Sequence, residues 1–272
     1  MGRKVAYRVD HLVFSYQPPN SAGSPFSLQI DSMTVRRGAF TAIVGRSGSG
    51  KTTLLSLLGL VRQPKSGSIE LTLTNGEDGS EIVLTSEQLW RDEGLAEMVR
   101  AKYLGYALQA GELLPYLSLW ANVEFVLRVL GVRNSKGVAR NCLQQFYEKS
   151  EQPDLMRTPS SVSQGQYQRC VVARALVHSP QILLADEPTG NLDASNARAV
   201  LSLLKSYVRS DERIPRTVVL VTHDVEHAIQ FADELYVLKR GKLVARHQRG
   251  AGSWPSSSTL IASMVEKESY EV

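Results

Sequence analysis

Between Gly45 and Thr52 the chain reads Gly-Arg-Ser-Gly-Ser-Gly-Lys-Thr, a set of glycines, a lysine and a hydroxyl at the spacing G-x-x-x-x-G-K-[ST]. Residues of these types suit an oxyanion. Glycines let successive backbone N–H groups turn inward with no Cβ in the way. The apolar, proline-free stretch 51–61 reads as a helix, and the aligned peptide dipoles at its N-terminus favour negative charge. Lys51 can reach β- and γ-phosphates, and the Thr52 hydroxyl can ligate Mg²⁺. Gly45, Arg46, Ser47, Gly48, Ser49, Gly50, Lys51, Thr52 and Thr53 are therefore the candidate phosphate cradle. A glycine-rich turn without a ligand is the competing reading. The apolar strand Phe40–Val44 before the loop and the helix after it stand against that, and the expectation is a nucleoside triphosphate site.

A second run, Gln181-Ile182-Leu183-Leu184-Ala185-Asp186-Glu187, is an apolar strand ending in two carboxylates. Side chains alternate along a strand, so Asp186 and Glu187 point differently and can take separate roles. Beside a phosphate loop, Asp186 suits Mg²⁺ coordination, directly or through water. Glu187 is placed to polarise an attacking water, a general-base role worth ~10²–10⁴ in rate. In isolation, two solvated carboxylates at a strand end would be the plainer explanation. Upstream, Val162-Ser163-Gln164-Gly165-Gln166-Tyr167-Gln168-Arg169 contains a capping box, Ser163 with Gln166, ahead of a helical stretch at 167–177. Its N–H donors and hydroxyl make a second phosphate-binding device, 23 residues before Asp186. Alone, it would mark only a capped helix.

These residues need a scaffold, and the 272-residue composition allows one. Hydrophobic residues make up 43% and charged residues 21%, which excludes a disordered chain. The net charge of +4 is spread along the sequence rather than gathered in one run, so nucleic acid is not expected as a partner. Cys142 and Cys170 are too few and too far apart for a disulfide framework, and Cys170 reads as a small core residue. No apolar stretch approaches the ~18 residues of a membrane span, and no apolar core follows the basic residues of 1–10 as in a signal peptide. A soluble protein of a reducing compartment is the expectation.

Val5–Tyr16 and Phe26–Val35 alternate as strands around the loop Gln17–Pro25, and Ser68–Leu73 can be another strand. From Thr74 to about Arg100 the polar composition suggests a surface excursion. A helix-rich middle, 117–160, precedes strand 181–185, helix 194–209, strand 217–222, a helix from Val225 and a hairpin at 236–246. Strands alternating with helices indicate a mainly parallel sheet. Gly250–Ser258 reads as a low-complexity linker and Thr259–Val272 as a short surface helix. The domain expectation is one unit over 1–249, with a helical subdomain at about 110–165, then a linker and short tail over 250–272. His11, His178, His227 and His247 read as surface or packing residues.

The runs together resemble the ATP-binding subunit of ABC transporters. Residues 162–169 resemble the family's LSGGQ signature, and 182–193 (ILLADEPTGNLD) its Walker B and D-loop. Tyr106-Ala107-Leu108-Gln109 is similar to the Q-loop, Val221-Thr222-His223-Asp224 to the switch-histidine loop, and Tyr16 to the aromatic residue that stacks on adenine. The motifs keep the family's order from Tyr16 to His223, 208 of 272 residues. The run 111–123 (GELLPYLSLWANV) with DEPTGNLD further resembles the subgroup serving lipoprotein release, macrolide export and cell-division permeases. Read without the resemblance, the competing reading of Tyr16 is one more half-buried aromatic in the Leu12, Phe14, Tyr16 alternation.

The resemblance implies an α/β fold: a P-loop NTPase core with a mainly parallel sheet, an N-terminal antiparallel β subdomain and an inserted helical subdomain. It implies ATP hydrolysis with Mg²⁺, held by Thr52, Asp186 and Gln109, at the cytoplasmic face of the cell membrane, where the chain is peripheral. It implies a head-to-tail homodimer in which each ATP lies between one subunit's phosphate loop and the other's Ser163, Gly165 and Gln166. His223 would hydrogen-bond the γ-phosphate and Glu187, Gln109 would report γ-phosphate occupancy, and Asp193 would sit at the dimer seam. Integral membrane permease subunits would be the partners. Departures are Gln164 and Val162 in the signature, which put the shape of the partner's ATP contact in question, and Ala39 where an acidic residue is usual. Two alternatives stay open: a motor regulating a membrane partner without transport, and a soluble ATPase of this type acting on ribosome or DNA. The latter usually carries two cassettes or long coiled coils. A metabolic kinase would leave the Ser163 segment unexplained.

Overall fold

Buried residues alternate along the first described strand, with one slip of register around His11. The computed structural model describes residues 5–16, 26–76, 78–108, 113–147, 154–190, 192–210, 213–250 and 254–264. In β1 (Val5–Ser15) Tyr7, Val9, Leu12 and Phe14 face inward, and the strand pairs antiparallel with β2 (Ser27–Arg36). β3 (Phe40–Val44) is buried throughout and feeds the phosphate loop and α1 (Lys51–Leu58). β4 (Ser66–Thr74) and β5 (Glu81–Thr85) extend the antiparallel part.

The polar stretch after Thr74 differs from the expected surface excursion. Besides β5 it forms α2 (Ser86–Arg91) and α3 (Glu93–Tyr103), capped by Thr85 with Gln88 and by Asp92. Leu89, Ala96, Val99 and Tyr103 are buried. The physical reason is economy of spacing: Ala96, Val99 and Tyr103 recur at helical intervals, so a few apolar residues seat a mostly polar helix.

β6 (Leu104–Ala107) is followed by α4 (Leu119–Val129), α5 (Ser135–Phe146), a 3₁₀ turn at Pro159–Ser161 and α6 (Gln164–Leu176). Then come β7 (Ile182–Asp186), α7 (Ala194–Val208), β8 (Thr217–Thr222), α8 (Val225–Phe231), β9 (Glu234–Lys239), β10 (Lys242–Gln248) and α9 (Ser257–Met264). Cys170 is fully buried in α6, as expected of a core residue, and burial pushes its thiol up to about 12. In the tail, Leu260 is fully buried and Trp254 Nε1 donates to Ile229 O at 3.1 Å. The C-terminal helix thus starts earlier than the sequence suggested and is docked rather than lying free on the surface. A single leucine and a single tryptophan carry too little periodicity to announce that.

The strands form one sheet in the order β5-β4-β1-β2-β10-β9-β3-β8-β7-β6. β9, β3, β8, β7 and β6 run parallel, and β5, β4, β1 and β2 antiparallel. This is the expected α/β fold. Alternation divides the buried strands between two cores: Leu183, Ala185, Val218 and Leu220 pack with α4 to α8, while Ile182, Leu184, Val219 and Val221 pack with α1 and α3. Covered on both faces, β3, β7 and β8 hold the loops at their C-terminal ends in fixed relation. Those ends carry Gly45, Asp186 and His223.

Candidate nucleotide site

The phosphate loop is wedged between β3 and α1 with no room to spare. Gly50 takes φ +104° at the α1 N-cap, and a Cβ there would lie 2.7 Å from the Phe26 ring. A Cβ on Gly45 would lie 2.3 Å from Leu238 O. Lys51 Nζ donates to Gly45 O at 2.9 Å and Arg46 O at 3.2 Å, and lies 3.7 Å from Glu187 Oε1. Burial lowers the Lys51 ammonium below its ordinary value, against the pull of Glu187 and Asp186. A desolvated cation curled into a nest of backbone groups fits a phosphate oxyanion.

Asp186 ends β7 almost fully buried. It accepts a hydrogen bond from the Thr52 side chain, yet its Oδ1 is buried with no partner. Burial raises its carboxyl above the ordinary range. An orphaned carboxylate oxygen beside a hydroxyl fits a hard cation such as Mg²⁺, which takes oxygen ligands from protein, water and substrate phosphates. Glu187 follows with φ +45°, a left-handed backbone rare outside glycine. Its N–H donates to Val221 O at 2.9 Å, and its Oε2 lies 2.6 Å from His223 Nδ1. Three adjacent strands, β3, β8 and β7, thus bring Lys51, His223 and Glu187 together.

A cleft of about 320 Å³ opens there, lined by Ser47, Gly48, Gly50, Lys51, Thr52, Thr53 and Glu187 on one side and Tyr16 and Phe26 on the other. Tyr16 is 37% exposed, against 0% for Leu12 and 9% for Phe14, so the alternation runs outward into the cleft. Arg46 and Ser49 line a neighbouring cleft with Lys239 and Arg240. Phe26 and Arg62 were missed from sequence. Tyr16 N donates to Phe26 O at 3.0 Å, and the Arg62 guanidinium sits 4.7 Å over the Tyr16 ring centroid. The hairpin pairing of β1 with β2 carries a signal for Phe26; Arg62 has none. Gln109 lies outside the described residues.

Ser163, Gly165, Gln166 and Asp193 are not among the residues lining the cleft. Ser163 is the α6 N-cap: Gln166 N donates to Ser163 Oγ at 3.2 Å and Ser163 N to Gln166 Oε1 at 3.1 Å, the predicted capping box. Asp193 caps α7 and holds Asn196 through its N at 2.9 Å and Nδ2 at 2.7 Å. Asn196 Oδ1 accepts from Arg169 Nη2 at 3.2 Å, tying this turn to α6. Sequence reading missed Asn196, whose partner is 27 residues away. Ser163 and Asp193 are exposed.

Comparison with known proteins agrees with this geometry. The family described as ABC transporter matches residues 28–190. The chain is 38% identical over 215 residues to the macrolide export ATP-binding/permease protein MacB of Vibrio parahaemolyticus, covering 79% of this chain and 30% of that protein. It is 33% identical over 232 residues to the lipoprotein-releasing system ATP-binding protein LolD 1 of Chlorobium chlorochromatii, covering 85% of this chain and 88% of that protein. The chain therefore spans about a third of the length of the MacB relatives it matches. Among solved structures, the dimeric bacterial ABC transporter cassette MJ0796 superposes with a TM-score of 0.72 at 28% identity, covering 89% of this chain and 98% of that one. The same cassette in a post-hydrolysis state bound to ADP and Pi superposes at 0.70. The chain belongs to the ABC transporter family, as one of its ATP-binding cassette ATPases.

Proposed function

We propose that this cassette is the motor of a membrane transporter, in which two copies close head-to-tail around two Mg-ATP and drive a permease. The observation that carries the reading is the division of phosphate-binding devices. Lys51 and Glu187 line one open cleft, with His223 2.6 Å from Glu187, while the exposed Ser163 helix end is not among the residues that line it. One copy therefore encloses a terminal phosphate from one side only, and a second copy supplies the other.

Lys51 would leave the Gly45 and Arg46 carbonyls to meet the β- and γ-phosphates, with the loop N–H groups around them. Thr52 and Asp186, with Gln109, would hold Mg²⁺, which supplies charge neutralisation on the phosphates. Glu187 would accept the proton of an attacking water, and His223 would hold the Glu187 carboxylate in place. Tyr16 would stack on adenine with its ring face. Shifting a dimer from mostly open to mostly closed takes ~5.5 kcal/mol of differential binding, which phosphate contacts from both copies can supply and hydrolysis removes.

The permease lies outside these residues: among the described residues, no helix is long and apolar enough to cross a membrane. Relatives named as a fused ATP-binding/permease protein and as an ATP-binding protein of a releasing system support a transport partner, and favour export or extraction. The cassette would then lie at the cytoplasmic face of the membrane, peripheral to its partner. The test is Glu187→Gln. That variant should keep ATP affinity, lose Mg-dependent phosphate release by at least 10²-fold, and elute as a dimer with ATP but not with ADP. Full turnover in the variant, or an ATP-insensitive monomer, overturns the proposal.

A further inference from the structure

A second cationic cleft, of about 480 Å³, opens at the other end of the strands and takes no part in the nucleotide site. Gly38 and Ala39 line it just before β3, and Gly45 lies beyond that strand's far end, about 20 Å from Ala39 at the rise of a β-strand. Its walls carry Arg36, Arg37, Lys205, Arg209 and Arg249 against a single lining carboxylate, Asp233. Three of the five cations meet acids: Arg36 lies 2.7 Å from Glu234, Arg37 2.7 Å from Glu81 and Lys205 2.6 Å from Asp233. Arg249 is spent on neutral carbonyls, those of Ala232 and Gln230 among them. The Arg209 guanidinium has no partner among the described residues. Arg36, only 7% exposed, keeps Nη1 buried without a hydrogen bond. Ala39 adds no acid where the chain turns into β3.

Among the described residues, two positive charges on exposed side chains are thus uncompensated in one concave place, beside a buried guanidinium with a spare donor. The charges feel one another: burial is the largest cause lowering the Lys205 ammonium, and Arg209 and Arg249 lower it further against the pull of Asp233. We infer that this cleft is a binding site for a phosphate-bearing anion, with Arg209 and Arg249 as its charge-bearing contacts and Arg36 at its wall. Guanidinium groups match phosphate oxygens in a bidentate fork, and a concave setting strengthens the attraction. The phosphates can come from a soluble polyphosphate or from a lipid headgroup, since the recognition chemistry is shared.

Titration calorimetry with inorganic tripolyphosphate separates this site from the phosphate loop. The intact chain should bind at two sites, the Lys51→Ala chain at one, and the Lys51→Ala/Arg209→Glu chain at least tenfold more weakly. Arg140→Glu, an exposed position on α5, should leave binding unchanged. Arg209→Gln with a thermal melt guards against misfolding, since it removes the charge without reversing it. In the lipid arm, vesicles of phosphatidylglycerol should carry the chain in flotation where phosphatidylcholine does not, with the same Arg209 dependence. Arg209-sensitive tripolyphosphate binding supports the site with a soluble ligand. Arg209-sensitive flotation without tripolyphosphate binding supports it with a headgroup. Binding of neither probe by the Lys51→Ala chain, or binding indifferent to residue 209, overturns it. A single site in the intact chain, unaffected by Lys51→Ala and removed by Arg209→Glu, would leave the cleft standing and count against the nucleotide reading instead.

Discussion

Asp186 is held in a place that costs the empty protein stability. Its Oδ1 is buried without a partner, and burial keeps its carboxyl above the usual range. An unpartnered buried polar atom costs about 1–3 kcal/mol. Next to it, Glu187 adds the strain of a left-handed backbone, of order 1–3 kcal/mol for a non-glycine residue. Asp186→Asn should therefore stabilise the nucleotide-free chain by about 1 kcal/mol, read as a melting temperature raised by about 2–4 °C for a domain of this size. The sign with pH follows from the raised carboxyl. The folded state holds that proton more tightly than the unfolded state, so the wild-type chain gains relative stability as pH falls through the folded-state value. The gap to Asp186→Asn should be widest at neutral pH and narrow on acidification. The same variant should lose Mg-dependent hydrolysis. A lower melting temperature for Asp186→Asn at neutral pH would show that the carboxylate is satisfied without a ligand.

Among the elements, α6 has two tasks at one end, and they can be separated. Ser163 caps the helix, which is worth about 1 kcal/mol, its Oγ accepting from Gln166 N, and its exposed hydroxyl can still donate to a phosphate. Aspartate caps as well as serine but repels phosphate. Ser163→Asp should thus melt within about 0.5 kcal/mol of wild type while losing ATP-driven dimerisation in the Glu187→Gln background. Ser163→Ala, by contrast, should destabilise the fold. If Ser163→Asp still dimerises with ATP, the helix end is only a cap. Elements of this kind were legible because their information is local: the phosphate loop, the Asp186-Glu187 strand end and the Ser163–Gln166 box each occupy a few consecutive residues. What escaped reading depends on partners far apart in sequence. Arg62 over Tyr16 and Arg169 on Asn196 are contacts only the fold creates. The helices α2 and α3 hid behind polar composition, although Thr85 with Gln88 is a capping box of the same kind as the one read at Ser163.

For the whole molecule, the decisive quantity is where the two halves of a site come from. In the proposed head-to-tail pair, each composite site would take Lys51 from one copy and Ser163 from the other, so a two-fold axis would make both sites alike. Lys51→Ala and Ser163→Asp each break both sites of their own homodimer. Mixed together, they form heterodimers with one doubly broken site and one intact site, built from the Lys51 of the Ser163→Asp copy and the Ser163 of the Lys51→Ala copy. Random pairing makes half the dimers heterodimers with one working site in two, so an equal mixture of the inactive variants should recover up to about a quarter of wild-type ATPase. Recovery should peak at equal amounts and vanish when Glu187→Gln is added to the Ser163→Asp copy, because that copy supplies the base of the intact site. Adding Glu187→Gln to the Lys51→Ala copy should change nothing. Each of these outcomes follows from geometry in which Lys51 and Glu187 lie 3.7 Å apart on one chain and line one cleft, while the capped helix end is not among the residues that line it. A mixture that stays inactive at every ratio, while both variants still bind one another, would place the whole site within a single copy.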